Sequence, residues 1–107
     1  MRSNLPIPPS ERLREFYARP DVKRVAEHYG DWTRSPQGEQ TTMRLTLAAM
    51  GFLGGNITRK KYRSLIALEA KVTNLPLGDI QIMALTAVET FRAMWAAGQP
   101  HLSIRTK

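Results

Sequence analysis

The sequence predicts an all-α protein, a small bundle of four to five helices. Three observations lead to this fold class. Apolar residues recur at the three- and four-residue spacing of amphipathic helices, and no long segment alternates in the way that strands do. Residues that typically begin and end helices separate these segments. The chain has 107 residues, of which 42% are hydrophobic and 23% charged, and these values suit one globular domain.

The first thirty residues predict an extended arm and two short helices. Residues 1–9 are rich in proline, which favours an extended backbone. Ser10 is expected to cap a helix over residues 11–18. A second helix is expected over residues 20–29, with Gly30 in the left-handed conformation that often ends a helix.

A loop is expected over residues 30–38, before a third helix that ends at the glycine pair 54–55. Ser35, followed by a proline, is the expected cap of this helix. The helical spacing of its large apolar residues predicts that they face the core. These residues are Met43, Leu47, Met50 and Phe52 or Leu53.

A fourth helix is expected over residues 58–73. At about 100° per residue, one face carries apolar side chains and the opposite face carries cations separated by small residues. The apolar set is Leu65, Leu68 and Val72, with Tyr62 at its edge; the small residues are Ala67 and Ala70. Glu69 falls near the apolar face. This position indicates either a pair with an arginine of another helix or a different register.

A fifth helix is expected over residues 79–97, ended by Gly98 and Pro100, with a short basic tail over residues 99–107. Apolar residues surround most of this helix, and a narrow polar stripe remains. The stripe consists of Gln81, Glu89 and Arg92. Such a helix is expected to be central and buried. The helical domain is therefore placed at residues 10–98.

The charge of the chain is strongly positive. Sixteen Lys and Arg against nine Asp and Glu give a net charge of +7 and a pI near 10.4. This excess indicates an anionic partner, which can be nucleic acid, an anionic membrane or an acidic protein. Five cations and one anion lie in residues 56–75, so more than half of the excess belongs to the fourth helix.

The fourth helix begins with Arg59, Lys60 and Lys61, and Arg63 and Lys71 follow. Cations in the first turn oppose the helix dipole, each by roughly 0.3–1 kcal/mol. A bound phosphate reverses this sign, because unpaired N–H groups and cations then attract the same anion. The pattern predicts a phosphate-binding helix start. The alternative is an ordinary solvated helix face, for which Lys and Arg are suited.

Other candidate contacts are weaker. Arg12, Lys23 and Arg24 extend the basic surface, although neighbouring carboxylates on the same helices are expected to absorb much of their charge. Trp32 and Tyr62 are the aromatic residues best placed to stack on unpaired bases, since one lies in a loop and the other lies within the basic run.

The sequence does not predict an enzyme, a cofactor, a metal site or a small-molecule substrate. Cysteine is absent, the histidines His28 and His101 share no ligand spacing, and no nucleophile or phosphate-loop motif occurs. The longest apolar stretch, residues 45–57, is shorter than the ~20 residues of a membrane span. A cytoplasmic protein is expected. Residues 21–30 resemble the first helix of a helix-turn-helix, but a proline-containing stretch then replaces the short turn, which makes a sequence-reading repressor a minor alternative.

These observations predict a non-catalytic module that contacts the nucleic-acid phosphate backbone with little sequence specificity, as a subunit of a larger assembly. In size, charge and helicity the chain is similar to the small helical subunits of CRISPR ribonucleoprotein effector complexes. DNA and RNA, and single and double strands, remain open. The alternative function is that of a protein–protein adaptor or phage-encoded inhibitor whose basic face binds an acidic protein surface.

Overall fold

The computed structural model of the chain describes the backbone of residues 9–105 and the side chains of residues 11–96. This part of the chain forms five α-helices and no strand, which confirms the all-α class. The helices are α1 (Pro9–Tyr17), α2 (Pro20–His28), α3 (Pro36–Leu53), α4 (Arg59–Thr73) and α5 (Leu77–Arg105). A 3-10 turn, Trp32–Arg34, lies between α2 and α3.

The central helix is α5, as its apolar circumference predicts. It packs against each of the other four α-helices. Ile80, Ala84 and Val88, at four-residue spacing, are almost completely buried. The main core is built where α5 meets α3 and α4, and its buried members are Leu45, Ala48, Ala49, Tyr62, Ile66, Ala70, Ile80, Ala84 and Val88. A smaller buried set from α1 and α2 consists of Phe16, Val22, Val25 and Tyr29.

The inward face of α3 differs from the expected one. Its buried residues are Gly38, Thr41, Leu45, Ala48 and Ala49. The prediction that Met43, Leu47 and Met50 face the core is wrong, because these three side chains are exposed. Small side chains let the backbone of α3 approach α5 closely, which a methionine and leucine face would prevent. The expectation that Phe52 or Leu53 faces the core agrees better with the structure, since both side chains are partly buried and pack against the core.

The inward face of α4 is also rotated from the expected one. Its buried residues are Tyr62, Ile66, Glu69 and Ala70. Leu65 is partly buried, as expected, but Leu68 and Val72 are exposed, and Ala70 does not belong to the basic face. The rotation follows from Glu69, whose carboxylate is bound by a threonine and an arginine of α3. Both readings of this residue from the sequence are therefore confirmed.

Several helix ends agree with the sequence. The Ser35 hydroxyl accepts a hydrogen bond from the N–H of Gly38 at 3.1 Å, and the Thr58 hydroxyl accepts one from the N–H of Lys61 at 3.1 Å. Asn74 ends α4 in the left-handed conformation, with φ 60°. These predictions hold because a cap depends on the few residues around it.

Two helix ends in the first part of the chain differ from the expected ones. Helix α1 begins at Pro9, one residue before the expected cap Ser10, because proline suits the first helical position. The arm expected over residues 1–9 otherwise lies outside the described residues. Gly30 does not adopt a positive φ, since the chain continues into the 3-10 turn without reversing. Gly38, in the first turn of α3, is required because an added Cβ would collide with the carbonyl oxygen of Trp32 in the 3-10 turn.

Helix α5 is longer than expected at both ends. It begins at Leu77 and continues past Gly98 and Pro100 to Arg105. The expected stop is wrong because an internal proline removes one hydrogen bond and bends a helix without necessarily ending it. Most of the expected tail is thus helical. Among the described residues, no helix is both long enough and apolar enough to cross a bilayer.

Candidate nucleic-acid interface

The first turn of α4 contains cations and no carboxylate. Thr58 caps one N–H group, that of Lys61, with its hydroxyl. The backbone N–H groups of Arg59 and Lys60 make no hydrogen bond to any described residue. The positive end of the helix dipole and the three cationic side chains of Arg59, Lys60 and Lys61 therefore coincide at this helix start.

The cations of α4 have no carboxylate partner among the described residues. Arg59, Lys60, Lys61, Arg63 and Lys71 are all exposed, and none of them belongs to an ion pair within that part of the chain. The only carboxylate of α4, that of Glu69, is buried on the opposite side and is bound by α3. The exposed face of α4 therefore carries five uncompensated positive charges.

Three of these cations surround one shallow, open depression. It is lined by Arg59, Lys60, Arg63, Ser64 and Ala67. Its floor consists of small side chains, and the Ser64 hydroxyl donates to the carbonyl of Lys60 at 3.1 Å. The depression can therefore admit a phosphate close to the helix backbone.

The remaining two cations of α4 differ in position. Lys71 lies one turn beyond Ala67 on the same exposed face, so it extends the surface along the helix axis. Lys61 is separated from Arg63 by about 160° around the helix. It lies instead on the flank that carries the exposed Leu68 and Val72. The structure thus brings together four of the five cations predicted on α4.

Arg59 also contacts the protein itself. Its guanidinium carbon lies 5.9 Å from the ring centroid of Phe52, at the outer limit of a cation–π contact. Such a contact orients the side chain without neutralising its charge. Arg59 therefore remains available to an external anion.

Tyr62 is not available for stacking on a base. Its side chain is buried, and its ring stacks on Phe52 with a centroid distance of 4.7 Å and an interplanar angle of 8°. Burial raises the pKa of its hydroxyl, which has no hydrogen-bond partner among the described residues. The prediction of a base platform is wrong for this residue, because the rotation of α4 turns it into the core. Trp32 is half-buried and makes an edge contact with Tyr29 at 6.0 Å.

Arg12 and Arg24 are structural residues. The guanidinium of Arg12 donates to both carboxylate oxygens of Glu89, at 2.9 and 3.2 Å, and that of Arg24 donates to Asp79 at 2.7 Å. The expectation that neighbours on the same helix absorb these charges is wrong, because both partners lie on α5. The prediction that the two arginines contact phosphate is not supported, since their charge is already compensated. Lys23 is exposed and makes no ion pair with a described residue.

A third buried carboxylate completes this pattern. Glu69 accepts from Arg44 at 2.8 and 2.7 Å and from the hydroxyl of Thr41 at 2.7 Å. Asp79 similarly accepts from the hydroxyl of Tyr29 at 2.5 Å. Each of the three carboxylates is therefore bound by an arginine of another helix. The signal in the sequence is a carboxylate at an otherwise apolar helix face, and it is clear only for Glu69.

These contacts change the acidity of the three carboxylates. Arg44 holds the pKa of Glu69 below its usual value, and Thr41 adds to the effect. Arg24 and then Tyr29 lower the pKa of Asp79, and Arg12 lowers that of Glu89. In each case hydrogen bonding to the charged form outweighs the burial that opposes it.

The arrangement around α2 does not form a helix-turn-helix. Helices α2 and α3 do not pack against each other. They are separated by a groove whose floor is α5. A DNA-reading pair requires two helices in contact across a short turn, so the minor alternative of a repressor loses its structural basis.

Comparison with protein-family models, with curated proteins and with solved structures found no match to this chain.

Proposed function

We propose that this chain is a non-catalytic module that binds the phosphate backbone of a nucleic acid through α4. The observation that carries the proposal is the contrast between three arginines of α1, α2 and α3 and the cations of α4. Arg12, Arg24 and Arg44 each bind a buried carboxylate. Nothing in the described part of the chain compensates the cations of α4, although placement in the first turn costs the helix stability.

The shape of the α4 surface suits a phosphate chain. Arg59, Lys60 and Arg63 surround the depression, and Lys71 continues it along the helix axis. Two unpaired N–H groups point out of the helix start, where an anion is favoured. The depression offers cationic side chains and a helix start with unpaired N–H groups, and such donors typically bind phosphate oxygens.

The proposal includes membership of a larger nucleoprotein complex, similar in character to the small subunits named above, and a cytoplasmic location. The support for membership of a complex is the exposed apolar surface beside the cations of α4. Leu68 and Val72 are exposed next to Lys61 on the flank of α4. A neighbouring subunit can cover this flank while the depression holds phosphate.

The same flank favours a second candidate function. A mixed cationic and apolar surface also suits an acidic protein, as expected for an adaptor or a phage-encoded inhibitor. In that function Lys61, Leu68 and Val72 would form the centre of the contact. The depression around Arg63 would then contribute little.

A charge-reversal experiment tests the proposed site. The variant Arg59→Glu with Arg63→Glu is compared with wild type for binding to fluorescent oligonucleotides of about 20 nucleotides. DNA and RNA are each used in single- and double-stranded form, and binding is measured by fluorescence anisotropy. We expect at least a roughly tenfold loss of affinity at low salt, because two phosphate contacts become repulsive.

The matched control is Arg14→Glu with Arg34→Glu. This variant changes the total charge equally at two exposed positions outside α4, and we expect it to retain most of the affinity. Equal losses in both variants would mean that only total charge matters, and full binding by the α4 variant would exclude this helix as the site. Circular dichroism confirms that each variant remains helical.

A further inference from the structure

The exposed face of α3 is apolar along most of its length. Met43, Leu47 and Met50 recur at the spacing i, i+4, i+7, and their exposed fractions are 64%, 59% and 42%. This is the spacing at which one helix packs against another. No other described helix covers these side chains.

This stripe continues onto α5. Leu47, Met50 and Trp95 line one depression, and Met50 and Met94 line the adjacent groove between α2 and α3. Together the five side chains leave on the order of 500 Å² of contiguous apolar surface, at the upper end of what a typical monomer exposes in one patch. We call this surface, defined by Met43, Leu47, Met50, Met94 and Trp95, the α3–α5 patch.

The α3–α5 patch carries little net charge. Glu39 and Arg44 are the only charged residues of α3, and Arg44 is bound to Glu69 of α4. Arg92, which borders the depression, lies 3.8 Å from Glu89, whose carboxylate is bound more closely by Arg12. A second chain of the same net charge of +7 can therefore approach the stripe of α3 without placing uncompensated cations opposite each other, because Arg92 lies at the edge of the patch and the cations of α4 lie outside it.

We propose that the α3–α5 patch binds a second copy of this chain, with α3 packed antiparallel against α3 of its partner. A two-fold axis near Leu47 would place Met43 of each chain opposite Met50 of the other, so the stripe is complementary to itself. Two copies would bury about 1,000 Å² in total, near the lower limit of a specific interface. The stripe Met43, Leu47 and Met50 offers no charge that would select a different protein.

The expected dimer is weak and leaves both α4 faces exposed. An interface of this size predicts dissociation in roughly the micromolar range. The dimer would present two basic helices to one polyanion. The inference does not depend on nucleic-acid binding, and its test contains no nucleic acid.

The test compares two exposed leucines. Sedimentation equilibrium of wild type is expected to show a mass rising from 12.1 kDa towards twice that value as the concentration increases to about 100 µM. Leu47→Glu is expected to remain monomeric. Leu68→Glu, at an equally exposed position on α4 (55%), is expected to dimerise as wild type does.

A covalent variant provides a second measurement. The chain contains no cysteine, so Leu47→Cys introduces a single thiol near the proposed axis and is expected to form a disulfide-linked dimer on mild oxidation. Leu68→Cys is expected to do so far more slowly. The proposal is overturned if wild type stays monomeric throughout, which would leave the patch to another protein or an apolar ligand. It is also overturned if Leu68→Glu, rather than Leu47→Glu, abolishes the dimer.

Discussion

At the scale of single residues, the molecule depends on three buried carboxylates that each bind an arginine from another helix. Glu69, Asp79 and Glu89 are buried, and each joins two helices through its arginine. Breaking such a pair leaves a buried charge without its partner, which is more costly than losing a surface ion pair. The sequence shows these residues but not their partners, because the partners are 25 to 77 positions away in the chain.

The lowered pKa values predict sensitivity to acid. The carboxylates are more acidic in the folded chain than in the unfolded chain, so their stabilisation is complete above about pH 4.3 and is lost as the pH falls through the lowered values. We expect the Tm to decrease below that pH. The decrease should be shallower in Glu89→Gln, which has one such carboxylate fewer.

Thermal unfolding followed by circular dichroism between pH 7 and pH 2 checks this prediction. Glu27→Gln is the control, because Glu27 is exposed and makes no ion pair with a described residue. Its Tm should depend on pH as that of wild type does. An identical pH dependence in all three proteins would show that the pair of Glu89 with Arg12 does not contribute.

At the scale of the helices, the sequence predicts where each helix begins and ends better than it predicts which face of the helix is buried. The Ser35 cap and the bounds of α4 were predicted, because a helix end depends on local backbone chemistry. The inward faces of α3 and α4 were predicted wrongly, because the prediction placed the large apolar residues in the core. Small residues and Glu69 occupy those faces instead, and packing against other helices decides this.

Reversing the charge at the start of α4 is expected to have opposite effects on the stability of the fold and on oligonucleotide binding. Replacing Arg59 by glutamate puts a favourable charge at the positive end of the helix, so we expect a gain of roughly 0.3–1 kcal/mol in the free energy of unfolding. The same change should weaken oligonucleotide binding. Urea denaturation and anisotropy on one preparation measure both effects.

The matched control for this prediction is Arg63→Glu. Arg63 lies beyond the first turn, where the dipole effect has declined, so binding should weaken with little gain in stability. If Arg59→Glu instead destabilises the chain, the arginine is needed by the fold, and its availability to an external anion is refuted.

At the scale of the whole molecule, different charges and surfaces are separated onto different helices. The arginines of α1, α2 and α3 that bind buried carboxylates stabilise the fold, the largest group of unpaired cations lies on α4, and the exposed apolar stripe lies on α3 and α5. The helical spacing of apolar residues predicted the fold class, and the order of charged residues showed the concentration of charge near Arg59. It could not predict the α3–α5 patch, since that surface exists only because Met43 and Leu47 point outwards.

The most direct test of the central claim is the salt dependence of binding to duplex DNA. If Arg59, Lys60, Arg63 and Lys71 each neutralise one phosphate, the logarithm of the association constant should fall with the logarithm of salt concentration with a slope of about −3 to −4 per chain. A slope shallower than about −1, or one unchanged in the Arg59→Glu, Arg63→Glu variant, would contradict phosphate binding by α4.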